Sequence, residues 1–319
     1  MSYTTKIKEE ISKDIGTKSE MLAELSGYIR NNGHNTPRGF QLTTENPLIC
    51  ERIEKQIEAL YEIKIKKEVK DSLNFSKKDL LVLTIDNKKD FILEDLGYQD
   101  NNRKYLDKPP QYIVGANEEI RAYLKGVFLS SGSINDPKTS RYHMELLIEK
   151  SGEAVFVQKL LNLFDLNVKI LTRDKGYMLY IKEADKISDY LKIIRANNAV
   201  LYFENQRIYR NKKNQANRLN NCEQANMDKV VATATAQLDN IAIIENNLAL
   251  SLLDEKTKEA LEYRKKYPEA SLKELSEIIS LETGKPITKS GLNHRFRKIK
   301  ELATKFKKLN KKSHETNDS

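Results

Sequence analysis

The sequence predicts an α+β fold, with a pseudo-symmetric α/β repeat domain followed by an all-α domain. Residues 25–33 and 124–132 share the pattern L-x-G-x-x-x-x-x-G, 99 residues apart, and each copy precedes a strand-like run and an amphipathic helix. Beyond residue 250 the apolar residues recur only at helical spacing, between residues that commonly cap helices. Charge divides in the same way: residues 1–206 hold 32 Lys and Arg against 31 Asp and Glu, and the basic excess lies beyond them.

Length and composition indicate a globular protein of two or three domains. The chain has 319 residues and a net charge of +9, with 39% hydrophobic and 32% charged residues. Cys50 and Cys222 lie far apart in sequence, which excludes a disulfide framework and favours a reducing compartment. No apolar run approaches the roughly 18 residues of a membrane helix, and residues 1–10 carry acids where a signal peptide would be apolar. We therefore expect a cytoplasmic protein without a membrane partner.

The two halves of the repeat predict the same series of elements, in which a helix with one apolar face leads into a strand. The helix positions are Ile53, Ile57, Leu60 and Tyr61 in the first half and Phe156, Leu160, Leu163 and Phe164 in the second; the strand positions are Ile63 and Ile65, then Leu166 and Val168. Further strands are predicted at residues 79–86 and 175–182, and residues 100–110 are expected to link the halves. The halves are assigned to residues 1–110 and 111–206.

The composition of the chain changes beyond residue 206. Residues 207–229 are polar, basic and rich in Asn, which is typical of a linker. Apolar residues on one face of a helix follow, and we interpret them as a packing face: Met227, Val230, Val231, Ala234, Leu238, Ile241 and Ile244. The helical domain is therefore assigned to residues 230–319.

Three short helices with distinct boundary signals are predicted near the C-terminus. The first covers about residues 255–266 and stops before Pro268. The second helix begins at a capping box formed by Ser271 and Glu274, and we expect it to end at Gly284. Thr288 is the expected N-cap of the third helix. Three helices with this connectivity predict a helix-turn-helix unit.

The third helix has a buried stripe and an opposite polar face. At about 100° per residue, Leu292, Phe296, Ile299 and Ala303 share one side. The polar residues opposite suit base edges in a major groove, and the flanking cations suit phosphates. The predicted DNA-binding set comprises Ser290, Asn293, His294 and Arg297, with Lys273, Lys289, Arg295, Lys298 and Lys300. Eleven Lys and Arg against one acid between residues 285 and 312 support DNA contact, although a solvated basic helix is the simpler alternative.

The repeated nonapeptides resemble the LAGLIDADG motif of homing endonucleases. In that family two such helices pack along a pseudo-two-fold axis, and a glycine at the third position permits close backbone approach; Gly27 and Gly126 hold that place. The eighth position of active nucleases is a metal-binding acid. Here it is Asn32 in one copy and Ser131 in the other, so we expect no metal, no cofactor and no catalysis.

The whole chain resembles the bacterial WhiA family. The resemblance rests on residues 126–137, 217–226, 271–275 and 288–295, and spans nearly the full length. It implies a catalytically inactive LAGLIDADG-like domain joined to a helix-turn-helix. It also implies a role in transcription, cell division and chromosome segregation, and in sporulation in some relatives.

Three hypotheses about function follow. The first is a regulator of transcription, nucleoid-associated, whose helix-turn-helix binds double-stranded DNA and whose N-terminal domain serves a protein partner or positioning. The second is an architectural DNA-binding protein with little sequence preference. The third is an endonuclease, because Glu24 and Asp136 lie close to the motifs in sequence and are acids that could serve such an activity. Asn217, Arg218 and Asn221 are equally compatible with contact to DNA and to the neighbouring domain.

Overall fold

The computed structural model describes residues 1–70, 79–139 and 141–315. The chain divides into two compact units, Met1–Asn211 and Lys212–Ser319. In the described chain no helix is long and apolar enough to cross a membrane.

The first unit repeats one arrangement of helices and strands. Its first half contains α1 (Tyr3–Ile11), α2 (Lys18–Asn32), β1 (His34–Thr36), β2 (Gly39–Thr44), α3 (Pro47–Tyr61), β3 (Lys66–Lys70), β4 (Leu80–Ile85) and α4 (Lys89–Asp95). Its second half contains α5 (Asn117–Ser131), β5 (Gly132–Ile134), β6 (Met144–Ile148), α6 (Ser151–Asn162), β7 (Lys169–Arg173), β8 (Gly176–Ile181) and α7 (Ala184–Ile193). Both antiparallel sheets have the same topology, β1-β2-β4-β3 and β5-β6-β8-β7, so the predicted pseudo-symmetry is confirmed.

The predicted strands at 79–86 and 175–182 correspond to β4 and β8. The strand positions after α3 and α6 were predicted too early, because β3 and β7 begin only at Lys66 and Lys169. Left-handed backbone explains the difference: Glu62 has φ 57°, and Asp165 and Asn167 have φ 60° and 51°. Residues in this conformation end a helix and turn the chain, so the apolar positions beside them fill the core from loops.

Leu163 was predicted on the apolar face of a helix, and this was wrong. It lies at the C-cap of α6 with 70% of its surface exposed. The helix ends before the face can extend that far.

The core of the first unit is built around α2 and α5, which pack against each other. Leu25, Ile29, Leu124 and Phe128 are fully buried there. One face of each sheet packs on this layer of helices through side chains such as Leu42, Ile85, Leu146 and Ile181. The motif helices therefore lie at the centre of the pseudo-symmetric domain.

The remaining helices are α8 (Asn197–Asn246), α9 (Glu255–Lys266), α10 (Leu272–Thr283) and α11 (Lys289–Glu315), with a short 3₁₀ turn at Ala249–Leu252. Residues 207–229, which have linker composition, lie inside α8. The stretch contains neither Gly nor Pro, so nothing in it breaks a helix even though its composition is polar. The packing face predicted farther along α8 begins with the half-buried Val230 and the buried Ala234, and Met227 and Val231 are not part of it, since they are 63% and 57% exposed.

The boundary signals of the C-terminal helices are present in the structure. Ser271 and Glu274 form a reciprocal capping box at the start of α10. Gly284 ends that helix with φ 67°. The amide of Gly291 donates to the hydroxyl of Thr288 at 3.1 Å, which caps α11.

Candidate nucleic-acid interface

The buried side of α11 anchors the helix-turn-helix. Leu292, Phe296, Ile299 and Ala303 are at most 4% exposed and pack with α9 and α10. Arg264 of α9 lies with its guanidinium 5.6 Å from the centre of the Phe296 ring. Its Nη1 donates to carbonyls of the turn that leads into α10, from Tyr267, Pro268 and Ala270. Burial lowers the pKa of Arg264. Apolar packing therefore holds the buried side of α11, and Arg264, which lies over Phe296, also fixes the turn between α9 and α10.

The opposite side of α11 carries the residues predicted to face base edges. Ser290, Asn293, His294 and Arg297 are all exposed. In the chain as described, none of these four side chains forms a hydrogen bond or an ion pair, so their donors and acceptors face solvent. These residue types match the donor and acceptor patterns of bases in a major groove. They lie in the N-terminal half of the helix, where helix-turn-helix proteins place their base contacts.

Two cations of α11 predicted to meet phosphates have carboxylate partners within the unit, and Lys273 of α10 pairs with Glu277 at 3.9 Å. Arg295 donates to Glu259 at 3.0 Å and to the carbonyl of Lys256 at 2.9 Å. Lys298 donates to Asp254 at 3.1 Å. A phosphate would have to compete with these carboxylates, so Arg295 and Lys298 are less available to DNA than a cation without a partner. The partners are about 40 residues away in sequence, and helical periodicity gives no sign of them.

Asp254 has a second role as the N-cap of α9. Its side chain accepts from the amide of Thr257 at 2.8 Å. Hydrogen bonds from Thr257 and Lys298 lower the pKa of Asp254 to about 2. The carboxylate therefore stays charged, and competes for Lys298, throughout the range in which the protein would bind DNA.

Lys273 and Lys289 line one shallow depression of about 210 Å³ in the second unit, together with Lys229. Lys273 and Lys289 lie in the first turns of α10 and α11, where backbone amides are free to bind anions. Sequence reasoning assigned Lys229 to the linker and gave it no role. Sequence patterns could not identify Lys229 as part of this depression, because Lys273 and Lys289 are roughly 40 to 60 positions away and the helical pattern is a local signal. Lys300, like the base-facing residues, is exposed.

The two motif helices approach as closely as their backbones allow. A Cβ built on Gly27 would lie 2.3 Å from the carbonyl oxygen of Tyr123, and one on Gly126 would lie 2.0 Å from that of Glu24. Both distances are far below van der Waals contact, and backbone cannot move aside as a side chain would. Only glycine fits these two positions.

The positions of the nuclease acids hold neutral side chains with structural contacts. The Nδ2 of Asn32 donates to the carbonyl of Thr43 at 2.9 Å, and its Oδ1 accepts from the Thr43 amide at 2.7 Å. The Oγ of Ser131 donates to the carbonyl of Val127 at 3.2 Å, within its own helix. Among the residues that the structure describes, no cluster of three His, Cys, Asp or Glu could hold a metal ion.

Glu24 and Asp136, the two acids on which the endonuclease hypothesis depends, both bind other residues of the same chain. Glu24 is 3% exposed and binds Arg52, Lys125 and Gln56. Burial raises its pKa, but Arg52 and Lys125 outweigh this effect and the pKa of Glu24 is lowered. Asp136 accepts from the hydroxyl of Tyr202 at 3.1 Å and from the amide of Lys138 at 2.8 Å. The carboxylate of Glu24 is therefore already neutralised by two cationic side chains, whereas both hydrogen bonds to Asp136 go to its Oδ1.

Comparison with known proteins follows the same division of the chain. Family models described as the WhiA N-terminal LAGLIDADG-like domain, the WhiA LAGLIDADG-like domain and the WhiA C-terminal HTH domain match residues 18–98, 120–213 and 216–303. A relative from Brevibacillus brevis, "Probable cell division protein WhiA", is 38% identical over 96% of this chain and 98% of its own length. This chain belongs to the WhiA family. A protein of the same description from Pediococcus pentosaceus is 36% identical over 96% of this chain and all of its own length.

The family assignment confirms the predicted fold class, a LAGLIDADG-like α/β domain followed by a helical HTH domain. The crystal structure of full-length DUF199/WhiA from Thermatoga maritima covers 96% of this chain and 99% of its own, with a TM-score of 0.58 and 20% identity. That likeness supports the fold. The WhiA HTH match begins at residue 216, within the stretch that composition assigns to a linker. An HTH domain implies that the chain binds DNA.

Proposed function

We propose that this chain is a non-enzymatic, sequence-specific DNA-binding regulator of transcription, associated with the nucleoid in the cytoplasm. The exposed polar face of α11 carries the proposal. Ser290, Asn293, His294 and Arg297 present donors and acceptors to solvent, while the opposite side of the same helix is fully packed. A helix held in this way can enter a major groove without rearranging its own unit.

The cellular role follows from the family. The curated relatives are named as probable cell division proteins, and we propose that regulation by this chain serves cell division and chromosome segregation. Two features of the first unit argue against a nuclease: neutral side chains occupy both acid positions of the motifs, and Asn32 is fixed to the backbone of β2. We propose that this unit positions the protein or binds a protein partner.

Base readout can be separated from phosphate contact by a titration of full-length variants. The duplex is first enriched from a random library with the wild-type chain, and a scrambled duplex serves for comparison. Arg297→Ala or Asn293→Ala should cost ~1–3 kcal/mol on the enriched duplex and little on the scrambled one, because a base contact is lost. Lys289→Ala should weaken both duplexes alike and reduce the salt dependence by about one ion.

The same titration tests the architectural alternative. If Arg297→Ala and Lys289→Ala weakened both duplexes to the same extent, α11 would not be reading bases. A chain that enriched no sequence at all but still bound DNA would be an architectural protein. Crosslinking of the protein to the genome should show discrete peaks for a regulator and a smooth profile for an architectural protein.

A further inference from the structure

Helix α8 contains a long stretch that no other part of the described chain covers. Every residue from 211 to 229 is exposed, although the helix runs through them without a break. Six of these 19 residues are Asn, which is among the weaker helix formers. A helix without a packed face also gains no stability from burial. A spacer would be better made from Ala, Glu and Lys, so the composition is better explained by what the side chains bind.

Between Lys213 and Asn221 the charged and the apolar side chains lie on different sides of the helix. At about 100° per residue, one arc of about 140° holds Lys213, Asn214, Asn217, Arg218 and Asn221. None of these five side chains has a hydrogen bond or an ion pair within the described chain. We refer to these five residues as the amide face.

The other side of the same segment is mixed in chemistry. It holds the amides Gln215 and Asn220 together with Ala216 and Leu219, and an acid, Glu223, follows on that side. Beyond Asn221 the amide face ends, because the next amide in line, Gln224, donates to Asp228 at 2.9 Å. Between Lys213 and Asn221 one side of the helix therefore carries two cations and three free amides, and no apolar side chain.

We propose that the amide face is a second DNA-contacting surface, separate from α11, that lies in a major groove of double-stranded DNA. This inference rests on the proposed function. Asn is the side chain that reads adenine through paired hydrogen bonds to N6 and N7, and Lys213 and Arg218 flank the amides as phosphate contacts would. A lone helix exposed on all sides has the diameter that a major groove admits.

Double-stranded DNA fits the amide face better than a protein does. Protein interfaces take their affinity from apolar or aromatic anchors at the centre of the contact, and the amide face contains none. From Lys213 to Asn221 the helix rises about 12 Å, the length of roughly three to four base-pair steps. The free cations match a polyanion, and the amides match base edges.

The test uses two double variants of the full-length chain with opposite positions on the helix. Asn217→Ala with Asn221→Ala removes two amides from the amide face, and Gln215→Ala with Asn226→Ala removes two from the other side. All four changes raise helix propensity, so weaker binding by the first variant cannot come from a melted helix. Each protein is titrated against the duplex enriched by the wild-type chain and against its scrambled counterpart.

The amide-face variant should bind the enriched duplex about ten- to a hundredfold more weakly than the wild type. The control variant should stay within about twofold, as expected for exposed residues on the side of the helix away from the amide face. Arg218→Ala should lower the salt dependence by about one ion, whereas Lys212→Ala, on the far side, should lower it less.

Wild-type affinity in the amide-face variant would overturn this inference and would assign the amide face to a protein partner. If Arg297→Ala still weakened binding in that case, the proposed function would stand without it. A wild-type chain that bound no duplex at all would overturn both.

Discussion

The two units of the chain use their cations in different ways. In the first unit Arg30 and Arg52 are buried and each pairs with a buried carboxylate, Glu153 and Glu24. In the second unit the polar face of α11 leaves Arg297 without a partner in the described chain. The difference teaches that a count of charges does not locate a DNA-binding surface. What matters is which cations already have a carboxylate beside them, because a paired cation must give up its partner to meet a phosphate.

Breaking a buried pair in the first unit should have the largest effect. Glu24→Ala leaves Arg52 and Lys125 without their carboxylate and should lower the free energy of unfolding by ~3–5 kcal/mol. Glu51→Ala removes an exposed pair with Lys55 in the same half and should cost no more than about 1 kcal/mol. Denaturant unfolding of the full chain measures both. Equal losses would mean that the buried pair stabilises no more than a surface one.

Lys8 is an exception in the first unit, since it is half-buried and has no carboxylate partner among the described residues. Burial lowers the pKa of Lys8 to about 8. The unfolded chain keeps this proton up to about pH 10, so between about pH 8 and 10 it binds more protons than the folded chain and stability rises with pH. Lys8→Met should therefore stabilise by about 1–2 kcal/mol at pH 7, and the gain should shrink towards pH 10.

Lys6→Met is the matched control for this change, because Lys6 is exposed on the same helix. Thermal unfolding at a series of pH values should show almost no shift for it. A gain for Lys8→Met that stayed constant with pH would reflect packing alone, with no contribution from the buried charge.

Freeing a paired cation in the second unit should have the smallest effect. Asp254→Asn keeps the N-cap of α9, since Asn caps helices as well as Asp does, but removes the charge that holds Lys298. DNA binding should tighten about two- to fivefold and its salt dependence should rise by up to about one ion. An unchanged salt dependence would show that Lys298 does not reach phosphates even when released.

The sequence predicted elements that depend on local signals. The repeat predicted two matching halves, and the capping residues Ser271, Gly284 and Thr288 predicted both ends of α10 and the start of α11. The third helix was expected to be short, but α11 extends over 27 residues to Glu315. The early strand positions around Ile63 and Leu166 were wrong because left-handed residues turn the chain there, and alternation of apolar residues carries no information about that.

The candidate site was predictable only in part. The exposed face of α11 followed from periodicity, since angular position on one helix is a local property. The partners of Arg295 and Lys298 could not be predicted, because Glu259 and Asp254 belong to another helix and their approach is decided by tertiary packing. The helical state of residues 207–229 was not predicted either. The polar composition that indicated a linker shows that the stretch is well solvated, but it does not determine which backbone conformation the stretch adopts.

The contact between Asn32 and β2 has an evolutionary consequence. Asp at this position could still accept from the Thr43 amide, but its second oxygen would face the Thr43 carbonyl, where Asn32 now donates. Two acceptors in contact repel each other, and the carbonyl would lose a partner at a partly buried site. A single codon change from Asn32 to the acid would thus weaken the domain before any metal could bind. Substitutions around Thr43 would have to come first for an acid to be tolerated at this position.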